Sequence, residues 1–168
     1  MHTLRKTIPS VLFLSALVGQ ALLWRGLPVA PGIPPFFSLL ALPVFLAACW
    51  FPLAAAWSFR QARTTVFAYS EPEALVTKGV YRFTRNPMYV GMLLILISVA
   101  LWANRWPLWI PVLIFVPIMN GSVIQWEERT LARKWPERFG HWAAQTPRWL
   151  LFRGGWKGPF TSGSGFPA

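Results

Sequence analysis

Leu75-Val76-Thr77-Lys78-Gly79-Val80-Tyr81-Arg82-Phe83-Thr84-Arg85-Asn86-Pro87-Met88-Tyr89-Val90-Gly91 begins as a polar, basic loop and ends inside an apolar helix. Asn86 is a strong N-cap residue type. Pro87 suits the first helical position, where its missing N–H would be unpaired anyway and its φ is already helical. The helix start is therefore fixed locally. Its free N–H groups and the positive end of its dipole point back at the loop, so an anionic or acceptor-rich ligand fits there beside Arg82, Arg85 and the tyrosines. The plainer reading of the same residues is the cytoplasmic end of an ordinary transmembrane helix.

Composition places this stretch in a membrane protein. The 168 residues are 55% hydrophobic and only 12% charged, against about 25% charged in soluble domains. Lys and Arg number 16 against 5 Asp and Glu, a formal charge of +11. These cations flank apolar segments and form no nucleic-acid motif, so anionic headgroups and the positive-inside rule account for them and a nucleic-acid partner is not expected. The single cysteine, Cys49, excludes an intramolecular disulfide and a cysteine zinc site. His2 and His141 lack acidic partners at ligand spacing, so no metal is expected either.

Outward from the quoted stretch, four apolar segments approach the roughly 20 residues that cross a bilayer: about 8–24, 36–59, 87–102 and 106–125. Arg5 and Lys6 precede the first, which reads as a retained membrane helix because no small-residue cleavage site follows. Residues 25–35 are rich in Gly and Pro and cannot continue it. Pro43 and Pro52 are expected to kink the second segment. The third and fourth are joined only by Ala103-Asn104-Arg105, which predicts an antiparallel hairpin. Lys and Arg fall mostly on one side, with Arg25 and Arg105 on the other, so both termini and the central loop 60–85 are expected in the cytoplasm.

Beyond the fourth segment, Leu131, Trp135, Phe139 and Trp142 form an apolar stripe opposite basic residues. This predicts an amphipathic segment at the membrane surface, broken into two helices at Pro136. The expectation is an all-α integral membrane protein of about four transmembrane helices plus this amphipathic segment. It would form one domain over 1–156 with a disordered tail over 157–168.

Glu127 and Glu128 stand at the exit of the fourth segment. Helical neighbours point about 100° apart, so one acid at most faces a given site. The structural expectation is a salt bridge from one of them to Arg82 or Arg85. The functional one is that one acid takes a cationic or hydroxyl-bearing ligand group while the other secures the loop.

Taken together, Gly79-Val80-Tyr81, then Arg85 to Gly91, the helical hairpin, Glu127-Glu128 and the segment from Phe139 to Trp149 resemble the membrane methyltransferases of the isoprenylcysteine carboxyl methyltransferase family, to which phospholipid N-methyltransferases are related. The resemblance spans about Leu75 to Leu150. It implies an S-adenosylmethionine-dependent methyltransferase with a cofactor pocket at the cytoplasmic surface, open sideways to a lipophilic acceptor such as an isoprenylcysteine carboxylate, a lipid or a thiol. Carried onto this chain, the cofactor contacts are Ala74, Leu75, Val76, Tyr81, Asn86, Pro87, Met88, Tyr89 and Glu127, with Glu128 beside it. A carboxylate or thiolate acceptor needs little base assistance, whereas a neutral amine or phenol needs a proton acceptor, and Glu128 is the candidate for that catalytic role. Membrane lipids are the implied surroundings. The chain departs from the family pattern at Asn86, where His is common, and at Phe139 and Trp142, where tyrosines are common. Two other readings are an NADPH-binding membrane reductase related to sterol reductases, and a non-catalytic membrane subunit.

Overall fold

A computed structural model describes residues 2–27, 34–62 and 75–150, with side chains from residue 7 in the first helix. Ala74, the acidic part of the central loop and the expected tail at 157–168 lie outside these residues. Among the described residues the only regular secondary structure is helix.

Helix α1 runs His2–Gly26. A 3-10 turn, Pro35–Leu40, leads into α2, Ala41–Gln61. Pro43 falls in the first turn of α2, where a missing N–H removes no bond, and Pro52 alone lies in its interior. Helix α3, Pro87–Ala103, ends on Asn104 in the left-handed conformation (φ 50°), whose N–H caps the Ala100 carbonyl at 3.1 Å. A 3-10 turn, Trp106–Leu108, then opens α4, Trp109–Met119. The short connection makes α3 and α4 neighbours, as its length requires.

The fourth apolar segment does not stop near Gln125. Pro117 removes one donor from the α4 ladder, and the helix widens into a π-helical turn over Asn120–Ile124 before resuming as α5, Gln125–Lys134. Gly121 is absorbed into the wide turn, and no other residue up to Lys134 breaks a helix, so Trp106–Lys134 is one continuous rod of 29 residues. Trp135 interrupts it (φ −135°, ψ 69°), and Pro136 opens α6, Pro136–Gln145.

Among the described residues, three helical stretches are long and apolar enough to cross a membrane: Thr7–Gly26, Pro35–Gln61 and Trp106–Lys134. Helix α3, equally apolar, has 17 residues. It is the most enclosed helix, with only Met88 and Trp102, one near each end, exposed. Its most extensive neighbour is α2. A Cβ on Gly91 would lie 2.8 Å from Pro52 Cδ and 2.9 Å from the Ala48 carbonyl oxygen. The absence of a side chain at Gly91 therefore sets how closely the two helices approach.

Gln20, buried in the second half of α1, donates from Nε2 to the carbonyls of Leu96 (2.9 Å) and Leu108 (3.0 Å), tying α1 to α3 and to the turn before α4. The outer faces of α1, α2 and α4 carry Leu14, Leu22, Leu53 and Leu113, all more than half exposed. Such surface suits the lipid around a membrane-spanning bundle.

The stripe of Leu131, Trp135, Phe139 and Trp142 points inward. Phe139 and Trp142 belong to the main core, and Leu131 and Trp135 pack against it. The apolar face of α5 and α6 is thus taken up by the protein itself, and their cations are left outside.

Candidate functional site

The loop before α3 is built onto the end of α2. Gly79 adopts φ +67°, a conformation other residues rarely take, and passes within contact of Ser58. This bend turns Val80 and Tyr81 into the core. The Tyr81 ring meets Phe59 edge-on at 5.5 Å and lies 6.4 Å from Trp142, whose indole N–H donates to the Tyr81 carbonyl at 3.1 Å.

Burial, and secondarily the nearness of Glu127, pushes the Tyr81 phenol well above its ordinary value of 10.0. A pKa raised in the folded state contributes stability that is complete below the unfolded value and is lost as pH climbs above it. Wild-type protein is therefore expected to lose stability as pH rises beyond about 10, and Tyr81→Phe to flatten that limb in unfolding curves measured across alkaline pH. Parallel curves would mean that Tyr81 ionises freely in the folded state.

Thr84, Arg85 and Asn86 follow, all buried. They hold the chain that returns after α6. The Arg85 N–H donates to the Pro147 carbonyl at 2.9 Å, and Thr84 Oγ1 and Asn86 Nδ2 donate to the Arg148 carbonyl at 3.0 and 3.1 Å. Asn86 occupies the cap position, since its carbonyl accepts from Val90 N–H at 3.0 Å, but its side chain makes no cap bond. Its Nδ2 donation to the Arg148 carbonyl orients the side chain toward the strap, and no side chain caps the first turn of α3.

The two acids diverge as helical geometry requires. Glu128, 3% exposed, receives Arg148 Nε on Oε1 at 3.0 Å and Arg148 Nη2 on Oε2, while Arg85 Nη1 lies 3.3 Å from Oε1. The expected salt bridge to the loop thus forms with Arg85, and Arg82 stays outside it. Glu127, half-buried, accepts the Tyr89 hydroxyl on Oε1 at 2.8 Å. Burial lowers the Arg85 pKa, Glu128 opposes that shift, and Arg148 adds to it. Arg85 Nε and Nη1 have no hydrogen-bond partner among the described residues.

Residues 146–149 therefore form a strap across the site end of the bundle. Besides Arg148, Trp149 is buried and donates from its indole to Asn120 Oδ1 in the π turn at 3.0 Å. The fold brings Tyr81, Asn86, Pro87, Tyr89, Glu127 and Glu128 to this end of the helices. Leu75 is buried beside them, Val76 packs on the same core, and Met88 is exposed. Sequence reading assigned no role to Thr84, Arg148 or Trp149. Their partners lie too far along the chain for any local pattern to single them out. Among the described residues, no three His, Cys, Asp or Glu side chains gather as metal ligands.

Residues 36–138, more than half of the chain, match the phospholipid methyltransferase family. The chain belongs to that family and is a membrane methyltransferase, which bears out the resemblance seen in its motifs. Among curated proteins it is similar to an uncharacterised protein of Haemophilus influenzae, 33% identical over 63 residues, which are 38% of this chain and 100% of that relative. No solved structure matches it significantly.

Proposed function

We propose that the protein transfers a methyl group from S-adenosylmethionine to a lipophilic acceptor at the membrane surface, with Glu127 as the principal cofactor-binding acid. The observation that carries this reading is the Tyr89–Glu127 hydrogen bond at the mouth of α3. It holds a carboxylate beside a helix N-terminus that has no side-chain cap, in a chain of a methyltransferase family.

The residues present fit the cofactor. A carboxylate ligand suits the positive N-terminal end of α3, which no side chain caps. An ammonium or ribose hydroxyl suits Glu127. Tyr81 and Tyr89, both buried, supply aromatic surroundings of the kind that suit an adenine or a cation once the site opens to admit one. When bound, S-adenosylmethionine supplies a methyl group activated by its sulfonium. The chain's part is to align the two reactants and exclude water, and no covalent enzyme intermediate is needed.

Glu128, expected from sequence as the proton acceptor, is better read as a positioning residue. Buried and held by two guanidinium groups, it has no open side for an acceptor's proton, and its task is to fix the loop and the strap. The acceptor on this reading is drawn from lipids, isoprenylcysteine-like carboxylates and thiols. Arg60, Lys78, Arg82 and the α5–α6 cations at the site end, against Arg25 and Arg105 at the other, orient the site toward the cytoplasm.

Calorimetric titration of detergent-purified protein with S-adenosylhomocysteine tests the reading. Micromolar affinity is expected, weakened at least about tenfold by Glu127→Gln, the loss of roughly one hydrogen bond to a charged group. Equal affinity in the variant would remove Glu127 from the site. Binding of NADPH in place of S-adenosylhomocysteine would overturn the reading as a whole.

A further inference from the structure

A cleft of about 730 Å³ opens between residues 75–82 and α6; Leu75 lines one edge of it, and neither Glu127 nor Tyr89 does. Lys78, Arg82 and Arg138 line it, all exposed, and Glu137 is the one acid among its lining residues. None of the three cations makes an ion pair or hydrogen bond among the described residues. This contrasts with Arg85 and Arg148, which are engaged with Glu128.

Three unpaired cations converging on a concave surface repel one another, and an anion seated between them removes that repulsion. Thr77, Gln145 and Thr146 also line the cleft and bring side chains able to hydrogen-bond oxygen. These polar groups suit a phosphate, and Leu75 and Trp142 form the apolar part of the same wall.

The neighbouring residues identify the source of that phosphate. Phe83, directly after Arg82, is 62% exposed, and Met88 at the mouth of α3 is 36% exposed. Large apolar side chains exposed beside cations mark a segment lying in the headgroup layer, where apolar groups reach the acyl boundary and charges stay at the phosphates. We propose that the cleft holds the phosphate of an anionic bilayer lipid that is not the methyl acceptor, so that the enzyme is seated on negatively charged membrane.

The test is native mass spectrometry of the full-length protein in detergent, titrated with phosphatidylglycerol or with phosphatidylcholine of the same acyl chains. Preferential retention of phosphatidylglycerol is expected. Its affinity should fall about fivefold for each of Lys78→Ala and Arg138→Ala, the effect of one cation near an anionic surface. Glu137→Gln should raise it, a change in the opposite direction that misfolding does not produce. Equal retention of the two lipids, or affinities unmoved by these substitutions, would overturn the proposal. So would release of the lipid by S-adenosylhomocysteine, which would make the cleft part of the cofactor site. Release by inorganic phosphate alone at micromolar concentration would also overturn it, by making the ligand a soluble anion.

Discussion

Glutamine in place of Glu128 is expected to lower the unfolding free energy by about 3–5 kcal/mol, because it leaves a buried guanidinium without its countercharge. Arg85 is buried, its Nε and Nη1 already lack hydrogen-bond partners, and Glu128 is the only carboxylate that reaches it among the described residues. The same change frees Arg148, and with it the strap that Thr84 and Asn86 hold by its carbonyl. Unfolding by sodium dodecyl sulfate, followed by tryptophan fluorescence, measures the loss. Arg148→Met, at a side chain 29% exposed, should be the milder variant. A loss under about 1 kcal/mol for Glu128→Gln would place the cluster with solvent-screened surface pairs and remove its anchoring role.

The second large effect is expected at the α2–α3 contact. The Cβ of alanine at position 91 would meet a proline ring at 2.8 Å and a backbone carbonyl at 2.9 Å, neither of which swings aside as a flexible side chain does. The helices must then separate, and Gly91→Ala should destabilise by about 3 kcal/mol, the upper end of ordinary overpacking. Gly121 is the control. It lies in the π turn with nothing within 4 Å of the point a Cβ would occupy, so Gly121→Ala should stay within about 0.5 kcal/mol of wild type. If both variants unfold alike, close approach at Gly91 is not what fixes the pair.

What could be read from the sequence follows from how local each signal is. Pro87 and Pro136 each begin a helix where expected, because φ preference and the missing donor act on the residue itself. The apolar runs 8–24 and 36–59 fall inside helical stretches for a similarly local reason, their unbroken apolar composition. The fourth helix is longer than its apolar part, since polarity alone does not end a helix and the residues after Gln125 are good helix formers. The divergence of Glu127 and Glu128 was legible from the angle between helical neighbours. Which acid goes to which partner was not. Arg148 bonds Thr84 and Asn86 across 64 and 62 residues of chain, and no spacing rule reaches that far. Asn86 shows the limit most clearly: its residue type gave the helix boundary, but its side chain is turned to donate to a carbonyl of a distant segment and makes no cap bond.

The continuous rod from Trp106 to Lys134 also sets a height. Its 29 residues amount to roughly 44 Å, whereas the hydrocarbon layer is about 30 Å deep. Crossing upright, the rod would leave roughly a third of its length clear of the acyl chains as a stiff post, with Glu127 and Glu128 toward that end. A methyl acceptor anchored by its tails would meet the reacting group at a fixed level above the oily layer without being lifted out of it. The depth at which a molecule carries its nucleophile would then matter as much as that nucleophile's chemistry.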